Sequence, residues 1–172
     1  MKLLNALIDD RANEYSISQL LALTVLRVLI GWHFLYEGVV KYADPDWSSA
    51  SYLKNTQGPL SVVFQKIAIF PPALELTDFL NTWGLILIGV CLILGLFSAL
   101  AYFLGLCLLA LYYVSMPPLI GYTYSSGVEG SYLLVNKIII EMSALIVLWC
   151  FPTGDQTGLD MFIQKCRMSK EE

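Results

Sequence analysis

ISQLLALTVLRVLIGWHFLYEGVVK, from Ile17 to Lys41, is the stretch that decides the architecture of this chain. It is apolar over more than the roughly 20 residues that a helix needs to cross about 30 Å of hydrocarbon. Yet it carries Arg27, His33, Glu37 and Lys41. A charge in hydrocarbon costs at least about 2.5–3.5 kcal/mol on the most lenient scale, so an ionisable residue there is a candidate functional group whose partner must be named. His33, Glu37 and Lys41 are spaced i, i+4, i+8 and share one helical stripe. Arg27 lies about 40° around the axis from Lys41 and about 15 Å along the helix from Glu37.

Working outward, three further spans are predicted, from about Thr77 to Leu96, Ser98 to Met116 and Ser131 to Phe151. The second and third are separated by almost no polar residue, which predicts a tight helical hairpin. Pro117 and Pro118 stop the third span, and Pro152 with Gly154 stops the fourth. Ser16 or Ser18 is placed to cap the first. Residues 42–76 form the first outer loop and are not plain loop. Asp46 is placed to cap a short helix through Trp47 and Tyr52, and Gly58 and Pro59 break it. Leu60, Val63, Phe64, Ile67 and Phe70 then repeat at helical spacing opposite Gln65 and Lys66, a pattern for interfacial helices forming a lid or for an ordinary amphipathic connector. The expected fold is therefore all-α: a single four-transmembrane-helix domain with interfacial helices in the first outer loop and a tail over 152–172.

Composition agrees. The 172 residues are 57% hydrophobic, and the mean hydropathy is +0.66, which suits a small bundle in a lipid bilayer better than a soluble core. The net charge of −4, with only 10 Lys and Arg spread thinly, supplies no basic stripe and argues against nucleic acid as a partner. The first residues, MKLLNALIDDRANEY, are too short in apolar run for a signal-peptide core and show no small-residue cleavage site, so they are expected to be retained; Leu3, Leu4, Leu7 and Ile8 could lie on the membrane surface. Lys2, Arg11, Lys165, Arg167 and Lys170 gather on the side of the termini, against Lys54 and Lys66 in the long loop, which predicts cytoplasmic termini. Cys91, Cys107, Cys150 and Cys166 form no CxxC pair.

With that topology Lys41 and Lys137 lie shallow near the outer surface, and Glu37 and Glu141 lie about one turn deeper. Arg27 must then reach up to Glu37 or Glu141, or into a hydrated space. Asn81 and Asn136 fall at a similar outer depth. Two readings stand. In one the charges are structural ion pairs that fix which helix faces meet, with a net worth near zero. In the other a polar chamber in the outer half binds a small anion or a quinone head group: Arg27 and Lys137 supply positive potential, Glu37 or Glu141 handles a proton, and His33 passes protons with Glu37. Lys41, Asn81, Asn136, Trp32 and Tyr36 complete the substrate-binding set on that reading, although aromatic residues near membrane boundaries are also what a belt requires. A single histidine cannot supply a bis-histidine haem or a copper site, so no haem or metal is expected from this chain alone. Gly84, Gly89, Gly95 and Gly105, with Ala99 and Ala101, read as close helix packing.

GWHFLYEGVVKY (Gly31–Tyr42), WSSASYLKNTQGP (Trp47–Pro59), LYYVSMPP (Leu111–Pro118), LLVNKIIIE (Leu133–Glu141) and FPTGDQTGLD (Phe151–Asp160) together resemble the DoxX family, and its DoxD-like branch in particular, over nearly the whole chain. The resemblance implies a four-helix protein of the prokaryotic plasma membrane. Name-giving members are subunits of a thiosulfate:quinone oxidoreductase, also described as terminal quinol oxidase subunits, and others are similar to partners in membrane thiol-stress complexes. A quinone or small oxyanion ligand and a homo-oligomer or redox partner subunit are thus implied. The alternative is a non-enzymatic scaffold or anchor for a partner protein. Fold likeness alone delivers neither reaction.

Overall fold

A computed structural model of the chain describes residues 15–118 and 134–161, and within them the protein is all-helical. The expected surface helix around Leu3–Ile8, the basic cluster at Lys2, Arg11, Lys165, Arg167 and Lys170, and Cys166 lie outside the described residues. Among the described residues, three helices are long and apolar enough to cross a membrane: α1 (Ile17–Ala43), α4 (Pro71–Leu94) and α5 (Ser98–Ser115). Two short helices, α2 (Ala50–Lys54) and α3 (Ser61–Ile69), lie between α1 and α4. α6 (Lys137–Cys150) and the single turn α7 (Gly154–Thr157) close the described chain.

The boundaries follow from capping chemistry. Ser16 opens α1 with a capping box: its hydroxyl accepts from the Gln19 amide at 3.3 Å, and the Gln19 side chain accepts from the Ser16 amide at 2.9 Å. α4 begins at Pro71 rather than near Thr77, because Pro71 and Pro72 occupy the first turn, where a missing N–H is no loss. Asp46 does not cap α2. Its own amide donates to the Asp44 carboxylate at 3.1 Å, and Ser49 precedes the helix instead. α6 starts at Lys137, later than Ser131, because the Asn136 side chain accepts from the Ile139 amide at 3.1 Å; residues 131–133 of that predicted span lie outside the described residues.

The α4–α5 hairpin is as tight as the sequence suggested, and it is held from a distance. Gly95 takes φ 62° and Phe97 φ 48°, both left-handed. The Asp160 carboxylate accepts from the amides of Phe97 at 2.7 Å and Ser98 at 2.9 Å, so the N-terminus of α5 is capped by a residue more than sixty positions away.

α1 runs close along α4. A Cβ placed on Gly89 would stand 2.7 Å from the Gly31 carbonyl oxygen, and one placed on Gly31 would stand 2.9 Å from Leu92 Cβ, so the pair lets two backbones approach where any side chain would wedge them apart. Gly84, in contrast, faces open space. Phe34, Leu85, Ile88, Leu92, Tyr102, Leu109, Leu145 and Leu148 form the core between the helices. Leu21, Leu29, Leu80, Leu87, Leu100, Phe103 and Ile140 point outward and are at least half exposed, the apolar exterior that a lipid-solvated bundle requires.

Candidate functional site

Near the Lys41 end of α1, side chains from α1, α2, α4, α5 and α6 enclose a cavity of about 310 Å³. His33, Glu37 and Lys41 reach it from one stripe of α1, as their spacing requires, and Asn81, Lys137 and Glu141 reach it from α4 and α6. Glu141 Oε1 lies 2.7 Å from His33 Nδ1, joining α6 to α1 through a short hydrogen bond. Only 12% of the Glu141 side chain is exposed, against 45% for His33.

Lys41 is held more completely. Its Nζ donates to Asn81 Oδ1 at 3.1 Å, stands 4.0 Å from Glu37 Oε2, and sits over the rings of Trp47 and Tyr112 at 5.4 and 5.7 Å. Two aromatic faces therefore share in solvating the ammonium where water is scarce. The Tyr112 hydroxyl donates to the same Asn81 oxygen at 3.0 Å, so Asn81 couples the lysine to α5.

The segment after α1 lies across this end. Asp78, in the second turn of α4, accepts from Ser48 Oγ at 2.8 Å, from the Ser49 amide at 2.9 Å, and from Ser49 Oγ. Tyr52 Oη and Ser115 Oγ form a further hydrogen bond, and the Gly58 amide donates to the Ser115 carbonyl at 3.1 Å. Burial pushes the Tyr52 phenol above its usual range, keeping it neutral as a lid contact. These ties fix Trp47, Ser48, Ser49 and Tyr52 against the cavity.

Four of the residues singled out in the sequence stand elsewhere. Arg27 does not reach Glu37 or Glu141: it is only 1% exposed, and its guanidinium donates to Thr153 Oγ1 at 2.9 Å and Thr157 Oγ1 at 3.4 Å, at the opposite end of the bundle. Helical side chains lean toward the N-terminus, so Arg27 reaches away from Glu37, and the distance along the axis grows instead of closing. Asn136 spends its carboxamide oxygen on the α6 cap. Trp32 and Tyr36 are exposed on the outside of α1 and do not line the cavity. Sequence reasoning missed Ser48, Ser49, Asp78 and Tyr112 as site residues. Asp78 in the first turns of a long apolar helix was the available signal, since a carboxylate there requires donors.

Among the described residues, no three His, Cys, Asp or Glu side chains are grouped to hold a metal ion. Compared with family models, curated proteins and solved structures, the chain finds no match in any of the three.

Proposed function

We propose that this chain is a multi-pass plasma-membrane protein of DoxX-like type, with α6 as a fourth crossing, α2 and α3 at the outer interface and both termini in the cytoplasm. α6 spans only about 21 Å at 1.5 Å per residue, short for a full crossing. The cavity then lies in the outer half of the bilayer and receives a quinone head group, as part of a membrane redox complex. The observation that carries this reading is the His33–Glu141 pair, which lines the same cavity as Lys41.

A quinone supplies two-electron, two-proton chemistry; the electrons come from a reductant of the thiosulfate class or from a partner subunit. The protein's part is positioning and protons. His33 uses Nδ1 toward Glu141 and keeps Nε2 for a carbonyl oxygen, so on two-electron reduction the dyad would give one proton to that oxygen, water supplying the second proton at the other carbonyl and reprotonating the dyad. Lys41 and Lys137 supply positive potential, favouring the electron-rich form of the ligand. The Trp47 and Tyr112 rings offer flat apolar walls.

Purified protein in lipid nanodiscs should bind a short-chain menaquinone or ubiquinone analogue. His33→Ala and Glu141→Ala should each weaken binding about tenfold or more, and Arg27→Met should leave it unchanged. Equal affinity in wild type and both dyad variants would remove the assignment.

A second reading, a non-enzymatic scaffold for a partner protein, is favoured by the fact that Lys41, Asn81 and Tyr112 already satisfy one another. Under it, the double variant His33→Gln with Glu141→Gln should preserve both the folded protein and its function in cells. A proton-handling dyad should not tolerate that exchange.

A further inference from the structure

The cavity is covered at both ends of the bundle axis, but its side is different. Trp47, Ser48 and Ser49 lie across it at the Lys41 end, tied to Asp78, and Phe34, Leu85 and Leu109 form its floor. Laterally, α1 lies along α4 and α6 lies along α5, whereas α1 meets α6 over a much shorter stretch. The hydrogen bond from His33 to Glu141 crosses this seam.

Exposure marks the same place. His33 and Glu37 line the cavity, yet 45% and 48% of their side chains are exposed. Helical rise puts them about 12 and about 6 Å below Lys41. In the proposed topology, with Lys41 at the outer interface, His33 then lies at hydrocarbon depth and Glu37 between the two. The flank they share continues into Leu29, Trp32, Tyr36 and Val40, all exposed and apolar or aromatic. Ionisable groups bordering lipid at such depth are tolerated where a polar group or water occupies the space behind them.

We infer that the cavity opens sideways into the bilayer between α1 and α6, and that its ligand is a membrane-dissolved amphiphile. Its polar head sits among His33, Lys41 and Glu141, and its apolar tail lies in the seam. This rests on the proposed quinone reading for the head group and narrows it: a tailed quinone has a route through hydrocarbon, whereas an oxyanion dissolved in water does not. Glu141, inside the seam and 12% exposed, is the residue that lipid touches only if the opening is real.

The test uses the full chain in nanodiscs containing a phospholipid with a diazirine in its acyl chain, followed by photolysis and mass-spectrometric mapping. Adducts on Glu141 as well as Glu37 are expected, and a tailed quinone analogue should reduce the Glu141 adduct severalfold where a tail-less head group does not. Ala144→Trp, which fills the α6 side of the seam one turn from Glu141, should suppress the Glu141 adduct and slow uptake of the tailed analogue about tenfold. Adducts confined to Leu29, Trp32, Tyr36 and Ile140, with Glu141 unlabelled, would overturn the opening, whether a second copy or the protein's own packing seals it. Unchanged labelling in Ala144→Trp would overturn it too. Quinone binding in the same discs separates the two ideas: seam labelling without quinone binding supports the opening and removes the quinone, and quinone binding without seam labelling does the reverse.

Discussion

Arg27 shows what spacing can and cannot place. Its register on α1 was legible, and so was its burial, because a charge in that run needs protein around it. Its partner was not legible: Thr153 and Thr157 lie more than a hundred residues away, and the N-terminal lean of the side chain chooses between the two ends of the bundle. The guanidinium meets hydroxyls there, so its substitutions should split. Arg27→Ala leaves a void and orphaned threonines and should destabilise the fold by about 2–4 kcal/mol. Arg27→Met fills the same volume and removes a buried charge, and should stay within about 1 kcal/mol of wild type. Unfolding in mixed detergent micelles measures both. The His33, Glu37 and Lys41 stripe follows from helical periodicity alone and was readable, as was the placing of Asn81, Lys137 and Glu141 toward the same end of the bundle. Tyr112 was not, because a tyrosine near a helix end also fits a membrane belt.

At the level of elements, the apolar runs located the long helices, and local chemistry set their ends. Pro71 and Pro72 moved one boundary and Asn136 another, each by six residues from the expected start, because a cap outweighs the periodicity beside it. The α4–α5 hairpin adds a long-range element: Asp160 supplies the acceptor that Phe97 and Ser98 need. Asp160→Ala should cost about 1–2 kcal/mol and expose the Phe97 and Ser98 amides to faster hydrogen exchange, with the rest of α5 unaffected. The close contact of α1 with α4 makes a sharper test. Gly89→Ala forces a Cβ to 2.5 Å from the Leu35 backbone nitrogen, so the helices must separate, and a loss of about 1–3 kcal/mol is expected in the same micelle assay. At the lid, Asp78→Ala removes the acceptor for Ser48 and Ser49 together. Proteolysis within residues 47–60 should accelerate while the long helices stay protected.

For the molecule as a whole, the apolar exterior, the glycine-mediated contact and the cavity at one end describe a helical bundle suited to a lipid bilayer, with ionisable and aromatic side chains around an internal space. The proposed four crossings would put Lys54 and Gln156 on opposite sides. Single cysteines placed there, in a background with the native cysteines replaced, should react differently with a membrane-impermeant maleimide: Lys54→Cys in intact cells, Gln156→Cys only after permeabilisation. Labelling of both from outside would contradict the four-span topology. Composition made the apolar, membrane-length helices legible, whereas the proposed ligand would leave no sequence signature, because a head group would be recognised by three or four side chains drawn from separate helices. Native mass spectrometry of gently extracted protein is the most direct examination of that ligand. Wild type should retain an adduct of quinone mass that His33→Ala and Glu141→Ala lose and Arg27→Met keeps; an adduct-free wild type, or one matched by both dyad variants, would contradict a quinone in this cavity.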